Sequence, residues 1–242
     1  MLLTILWLVF VVLTLIVITP MGLLTRLFQN KDPYSKPPRT ALWVAESLIP
    51  FAAKLAGCRC TVYGEENIPE GAALFTGNHQ GDFDVALILG GLGGYCIPIA
   101  KIEASKLPLV NIWMKALHLI FIDRSDIRQS VECANMAAQH LQHGNSVVVF
   151  PEGTRSKSRT MNPFKPGAFK AALKAGVPVV PFVIDGTYKC FEAQRYLKKA
   201  DVTLHILPPV YPEKEGLAKT RDLAQHVQAM IQEQLDANEA AR

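Results

Sequence analysis

The chain has 242 residues, half of them hydrophobic, and a formal net charge of +4. That length suits one substantial domain with a good core, and the mild positive charge fits an anionic membrane surface or phosphate-bearing ligands. No basic block is long enough to argue for nucleic acid, and five cysteines without a Cys-x-x-Cys pair support neither a disulfide framework nor a zinc site.

Residues 1–25 carry no charged side chain; Arg26 is the first. About 20 apolar residues cross a bilayer core as a helix, so residues 2–24 are long enough to span it or insert deeply. A secretory signal fits less well, because the basic n-region and a small-residue cleavage site are missing and the apolar run is long. Arg26, Lys31, Lys36 and Arg39 crowd the far side of the run. By the positive-inside rule, that side and everything after it face the cytoplasm.

Residues 40–56 place Val44, Leu48, Phe51, Ala52 and Leu55 at helical spacing, with Glu46 and Lys54 interrupting and Pro50 set to kink the helix. Two readings stand: an antiparallel partner of the first helix in one leaflet, or an ordinary core helix. The expected division is a membrane-anchoring segment over 1–56 and an α/β domain over 57–242. In that second part strand-like runs fall at 60–63, 73–76, 95–100, 119–122, 146–150, 179–184 and 202–206. Helix-like runs fall at 83–89, 110–117, 127–143, 167–175 and 219–238. The alternation predicts an α/β fold with a largely parallel sheet flanked by helices. Cys58 and Cys60 would share one buried strand face.

Open α/β sheets bind ligands at the carboxyl ends of their strands, and the polar motifs fall there. Asn78-His79-Gln80-Gly81-Asp82-Phe83-Asp84 follows the strand at 73–76. On one helix, His79 and Asp84 would be turned about 140° apart. With His79 in a loop and Asp84 in the first turn of the next helix, they can meet. The carboxylate then fixes the imidazole tautomer and stabilises the imidazolium, which makes a general base with its orienter. Asp82 competes with Asp84 for the capping role. Phe150-Pro151-Glu152-Gly153-Thr154-Arg155-Ser156 ends another apolar strand in a tight turn. There Arg155 can grip phosphate bidentately and Thr154 can donate a hydroxyl; a plain turn with a solvated arginine is the competing reading. Arg124, after Phe121-Ile122-Asp123, and Lys101 are further cations at strand ends, each open to an ordinary ion pair or solvation instead. Residues 177–182 form a proline-punctuated apolar strand, suited to core packing or to an acyl-chain groove, with proline pointing to an edge or a bulge.

Taken together, four ordered blocks resemble the glycerolipid acyltransferase family, which includes the bacterial lysophosphatidic acid acyltransferases: residues 78–84, 121–124, 150–156 and 177–182. The resemblance implies His79 as base and Asp84 as its partner. It implies Arg124, Glu152 and Arg155 as glycerol-phosphate ligands, with Gly153 shaping the loop and Lys101 a further phosphate contact. It links Val177 and Pro181 to the acyl substrate. The implied reaction moves a fatty acyl group from acyl-CoA or acyl-carrier protein to the sn-2 hydroxyl of lysophosphatidic acid, at a membrane, with no cofactor or metal. His79 has no Ser or Cys in its own block, so direct transfer is expected in place of an acyl-enzyme. Alternatives are another lysolipid or glycerol 3-phosphate as acceptor, or a non-catalytic module that binds anionic lipid.

Overall fold

The computed structural model describes residues 1–123 and 126–241. Seven strands form one sheet: β1 (Cys58–Tyr63), β2 (Leu74–Gly77), β3 (Ile97–Lys101), β4 (Ile120–Ile122), β5 (Val147–Val149), β6 (Val179–Asp185) and β7 (Ala200–Ile206). Their order is β1-β7-β6-β2-β5-β3-β4, and only β6 and β7 run antiparallel. All seven predicted strands are present, within two or three residues at each end. The central strands β2, β5 and β6 are buried along their whole length, as their unbroken apolar runs require of strands covered on both faces. β1 is an edge strand, so Cys58 is buried but Cys60, expected to share its face, is exposed.

The helices lie in two layers. α6 (Ile127–Gln142), α7 (Lys170–Ala175) and α8 (Thr220–Ala240) cover the face that presents Leu74, Val147, Val149 and Val183. Asp126 starts α6 by accepting the N–H groups of Arg128 at 2.8 Å and Gln129 at 3.4 Å. α4 (Asp84–Gly91) covers the opposite face, which presents Phe75, Val148 and Phe182. Outside it sit α1 (Leu2–Phe28), α2 (Arg39–Trp43), α3 (Ile49–Leu55) and α5 (Val110–Ala116).

The expected helix over 40–56 is α2 and α3 joined by a π-helical stretch, Val44–Leu48. Pro50 has no N–H to return to the preceding turn, and the wider turn just before it absorbs that loss. Ala41, Val44, Ala45 and Ala53 are buried in the body, while Trp43, Phe51 and Leu55 face outward. Packing therefore runs across residue 56, with Ala53 and Ala56 in the same core as Cys58 and Phe75.

α1 is about 40 Å long at the usual helical rise. It is the one helix long and apolar enough to cross a membrane among the described residues. It is fastened to the body at both ends. Near the start, the Trp7 indole donates to the Ala52 carbonyl at 2.7 Å and the Leu197 N–H donates to Thr4 Oγ1 at 2.8 Å. Near the end, a Cβ on Gly22 would fall 2.9 Å from the Trp113 ring, so only glycine lets α1 lie this close to α5. Leu6, Leu13, Val17, Leu24 and Phe28 remain exposed.

Between α1 and α2 the chain folds back onto α6. The Tyr34 ring meets His140 edge-on at 4.9 Å and stacks on His143 at 5.0 Å, and Asn145 Nδ2 donates to the Tyr34 carbonyl at 2.7 Å. Burial, with the imidazoles of His118 and His143 nearby, pushes His140 down to about 4. Its folded value lies below its ordinary 6.5, so the unfolded chain takes up the proton first. Stability is therefore full above about pH 6.5 and declines as pH falls toward 4, by roughly 1–3 kcal/mol. Denaturant unfolding at pH 7 and pH 4.5 measures this, and His140→Gln should flatten the dependence; an equally steep slope in that variant would assign the titration to another group.

Candidate active site

β2 ends at Gly77, and α4 begins at Asp84. The six residues between them are held in place from three sides. Asn78 is buried and clips the loop to β6: its Nδ2 donates to the Ile184 carbonyl at 2.7 Å, and its Oδ1 accepts the Ile184 N–H at 2.8 Å. Gln80 Oε1 accepts the Gly186 N–H at 2.8 Å. Glu152 and Ser156, from the loop after β5, take the third side. The His79 N–H donates to Glu152 Oε1 at 2.6 Å, and the Ser156 N–H donates to the His79 carbonyl at 2.7 Å.

His79 and Asp84 meet as their spacing requires. His79 Nδ1 lies 2.7 Å from Asp84 Oδ2. The same oxygen accepts the N–H groups of Gln80 at 2.6 Å and Gly81 at 2.9 Å. Asp84 is fully buried in the first turn of α4. A carboxylate can only accept, so Nδ1 carries the proton and Nε2 holds the lone pair. The Phe150 ring stacks on the imidazole at 3.9 Å between centroids and limits its rotation. This assembly can take a proton at Nε2 and stabilise the resulting cation.

The loop after β5 does two things. Glu152 is buried, and both its oxygens are occupied: Oε1 by the His79 N–H, Oε2 by Asn162 through its N–H at 2.8 Å and its Nδ2 at 2.9 Å. Burial raises its pKa, against the pull of those donors. Glu152, expected among the glycerol-phosphate ligands, is engaged with the protein on both oxygens. Its Oε1 holds the His79 backbone in place. Gly153 has φ +73, and a Cβ there would lie 2.8 Å from Lys165 Nζ, so the turn needs glycine. Thr154 is exposed on it.

Arg155 reaches back over the His79 loop. Its guanidinium pairs with Asp82 and lies 3.5 Å from Glu192 Oε1. The Glu192 side chain is 4% exposed, and the same oxygen accepts the Asp82 N–H at 2.7 Å. Lys101 ends β3 at the same edge of the sheet and pairs with Glu103 at 2.8 Å, both exposed. Arg124 lies outside the described residues.

Val177 and Pro181 are not brought to this site. β6 runs parallel to β2 with Val179 opposite Leu74, so Val177 lies at the edge of the sheet away from His79. Pro181 is buried in β6, an interior strand and not the edge its proline suggested. It is tolerated because the β7 ladder begins one residue later, at Phe182, while the Pro181 carbonyl still accepts the Leu207 N–H at 2.8 Å. Both residues pack in the core. The large apolar space lies elsewhere, between α1, α2–α3, α4, α5 and residues 191–197. It is a cavity of about 680 Å³ walled by Trp7, Val11, Ile49, Trp113 and Phe191, and Asp82 and Phe83 of the His79 loop reach it.

Glu192, Asn162 and the α1 wall of this cavity were not legible from short motifs. Glu192 lies 110 residues from Asp82, and α1 reads as an anchor.

Known proteins resemble this chain in both sequence and fold. The family model described as Acyltransferase matches residues 59–185, just over half of the chain. A probable 1-acyl-sn-glycerol-3-phosphate acyltransferase of Mycoplasma pneumoniae is 34% identical over 175 residues, which cover 70% of this chain and 65% of that protein. A chloroplastic 1-acyl-sn-glycerol-3-phosphate acyltransferase of Brassica napus is 34% identical over 180 residues, 73% of this chain and 50% of the relative. The match thus spans half to just under two thirds of these relatives' lengths. The crystal structure of the 1-acyl-sn-glycerophosphate acyltransferase PlsC from Thermotoga maritima superposes with a TM-score of 0.82 at 29% identity, covering 99% of this chain and 95% of that one. With the family model spanning most of the sheet and both polar loops, the chain belongs to the acyltransferase family.

Proposed function

We propose that this protein is a membrane-associated 1-acyl-sn-glycerol-3-phosphate acyltransferase. It transfers a fatty acyl group from acyl-CoA or acyl-carrier protein to the sn-2 hydroxyl of lysophosphatidic acid, giving phosphatidic acid. The observation that carries the reading is the 2.7 Å contact between His79 Nδ1 and a fully buried Asp84, which leaves Nε2 as the base. The names of the matched relatives, all built around the same acceptor, support the substrate.

His79 Nε2 takes the proton of the hydroxyl as its oxygen attacks the thioester carbonyl carbon. The C–O bond forms, the C–S bond breaks, and the thiolate leaves with the proton returned from the imidazolium. Asp84 holds the tautomer and stabilises the cation; Glu152 and Asn78 hold the backbone that carries the base. The 680 Å³ cavity is large enough for a fatty acyl chain and meets the His79 loop at Phe83. Val177 and Pro181 have no part in that cavity.

Arg155 receives the acceptor phosphate, which competes with the exposed Asp82 carboxylate for the guanidinium; Lys101 and Arg124 are further candidate contacts. Arg155→Ala should raise the KM for lysophosphatidic acid about 10–150-fold, the loss of a charge-assisted hydrogen bond, and barely move the donor KM. Steady-state kinetics varying each substrate decide this, and an unchanged acceptor KM would leave Arg155 as a brace between Asp82 and Glu192.

Association is with the cytoplasmic face of the inner membrane. α1 exposes its apolar side while both its ends are hydrogen-bonded to or packed on the body, and Trp43, Phe51 and Leu55 continue that surface. A helix attached at both ends to one domain fits insertion into a single leaflet. The test of the whole reading is transfer of a labelled acyl group from acyl-CoA to a panel of lysolipids and glycerol 3-phosphate by the purified protein. Preference for another acceptor would move the assignment within the family, and binding of anionic lipid without transfer would replace catalysis with a lipid-binding role.

A further inference from the structure

A second cavity, of about 310 Å³, lies on the opposite face of the sheet. Its apolar wall includes Leu74, Ile99 and Val149 from the strands and Cys133 and Ala134 from α6. No lining residue precedes Leu74, so neither α1 nor α2–α3 contributes. Leu74 and Val149 face the α6–α8 layer while Phe75 and Val148 face the other, so the sheet itself separates this space from the 680 Å³ cavity. Each has a wall residue beside the His79 loop. Phe150, whose ring stacks on His79, lines the second cavity, and Phe83, four residues after His79, lines the first.

The polar lining is Ser130, Lys165 and Lys170, with no carboxylate. Lys165 is fixed over the turn after β5. Its N–H donates to the Pro151 carbonyl at 2.9 Å, and its ammonium lies close against Gly153. Both lysines are exposed, and neither forms an ion pair among the described residues. One apolar cavity thus has both cations and the ring that stacks on His79 in its wall. An acyl thioester carried on CoA or a carrier protein has a matching outline: phosphate at one end, a flexible arm, and the reacting carbonyl at the other. A lysolipid matches less well, because its chain comes from the bilayer and this cavity faces away from α1.

We propose that this cavity is the donor-arm site, taking the phosphopantetheine arm of the acyl thioester with Lys165 and Lys170 holding its phosphate. The proposal rests on the acyltransferase reading above. The test is initial-rate kinetics of the full-length protein in lysophosphatidic acid vesicles, with acyl-CoA as donor and free CoA as product inhibitor. The Lys165→Ala/Lys170→Ala double variant should show a donor KM and a CoA inhibition constant raised about tenfold or more, with the acceptor KM within about twofold of wild type. Lys165→Arg/Lys170→Arg keeps both charges and should stay near the wild-type values, which separates a charge effect from a folding defect. An active wild type with an unchanged donor KM in the double alanine variant would overturn the donor site alone, as would a rise confined to the acceptor KM. A wild type that transfers no acyl group from any thioester would sink the functional reading and this proposal with it.

Discussion

Purified His79→Ala protein should lose about 10²–10⁴-fold in kcat while keeping its fold and its attachment to vesicles, because it removes the proposed base. The substitution leaves the backbone bonds of residue 79 to Glu152 and Ser156 in place, so the loop should survive it. Asp84→Asn tests the partner. The amide keeps the shape but removes the negative charge, and one of its two positions is now a donor. Asp84 Oδ2 receives three N–H donors, from His79, Gln80 and Gly81. An asparagine oxygen there still satisfies them but no longer stabilises the imidazolium, so kcat should fall by at least about 10²-fold with little change in either KM. Circular dichroism and vesicle sedimentation check the fold and the attachment. Wild-type turnover by His79→Ala would remove the base from the mechanism.

Glu152→Gln is the second large effect, and it separates a substrate ligand from a residue that positions the base. Three N–H donors converge on the two carboxylate oxygens, from His79 on one side and Asn162 on the other. A glutamine must turn its amide nitrogen toward one set, leaving a buried donor facing a donor. Each such mismatch costs about 1–3 kcal/mol. If the His79 N–H loses its acceptor, the imidazole shifts from its place against Phe150 and kcat falls, by about 10–100-fold. A phosphate ligand would behave otherwise. Replacing a carboxylate near a phosphate with a neutral amide would relieve repulsion and lower the acceptor KM. A fall in kcat with the acceptor KM held supports positioning; an improved acceptor KM with intact kcat would return Glu152 to the substrate site.

The elements most legible in the sequence were those set by local pattern. Val147–Val149 and Val179–Asp185 are apolar runs long enough for strands buried on both faces, and each was expected within a residue or so of its observed bounds. The His79–Asp84 pair followed from spacing alone, since a loop and a first helical turn were the way to bring the two together. The residues that were missed act across long separations. Glu192 supports Asp82 from the far side of β6, and nothing within either segment signals the other. Pro181 carried a family block but points into the sheet, because one proline fits an interior strand where the neighbouring ladder has not begun. Trp7 and its neighbours read as lipid-facing by composition, yet part of that face walls a cavity. A run that is apolar all round does not say which side is solvent, lipid or protein.

That shared wall has a kinetic consequence. Because α1 lies along the body and forms one side of the larger cavity, an acceptor lipid can pass from leaflet to cavity sideways, without crossing water. The concentration such an enzyme senses is the mole fraction of lysolipid in the surface and not its amount per volume of buffer. Diluting the acceptor with inert phospholipid, at constant total lysolipid, should slow the reaction as if substrate had been withdrawn. Adding more vesicles of unchanged composition should leave the rate per bound enzyme the same.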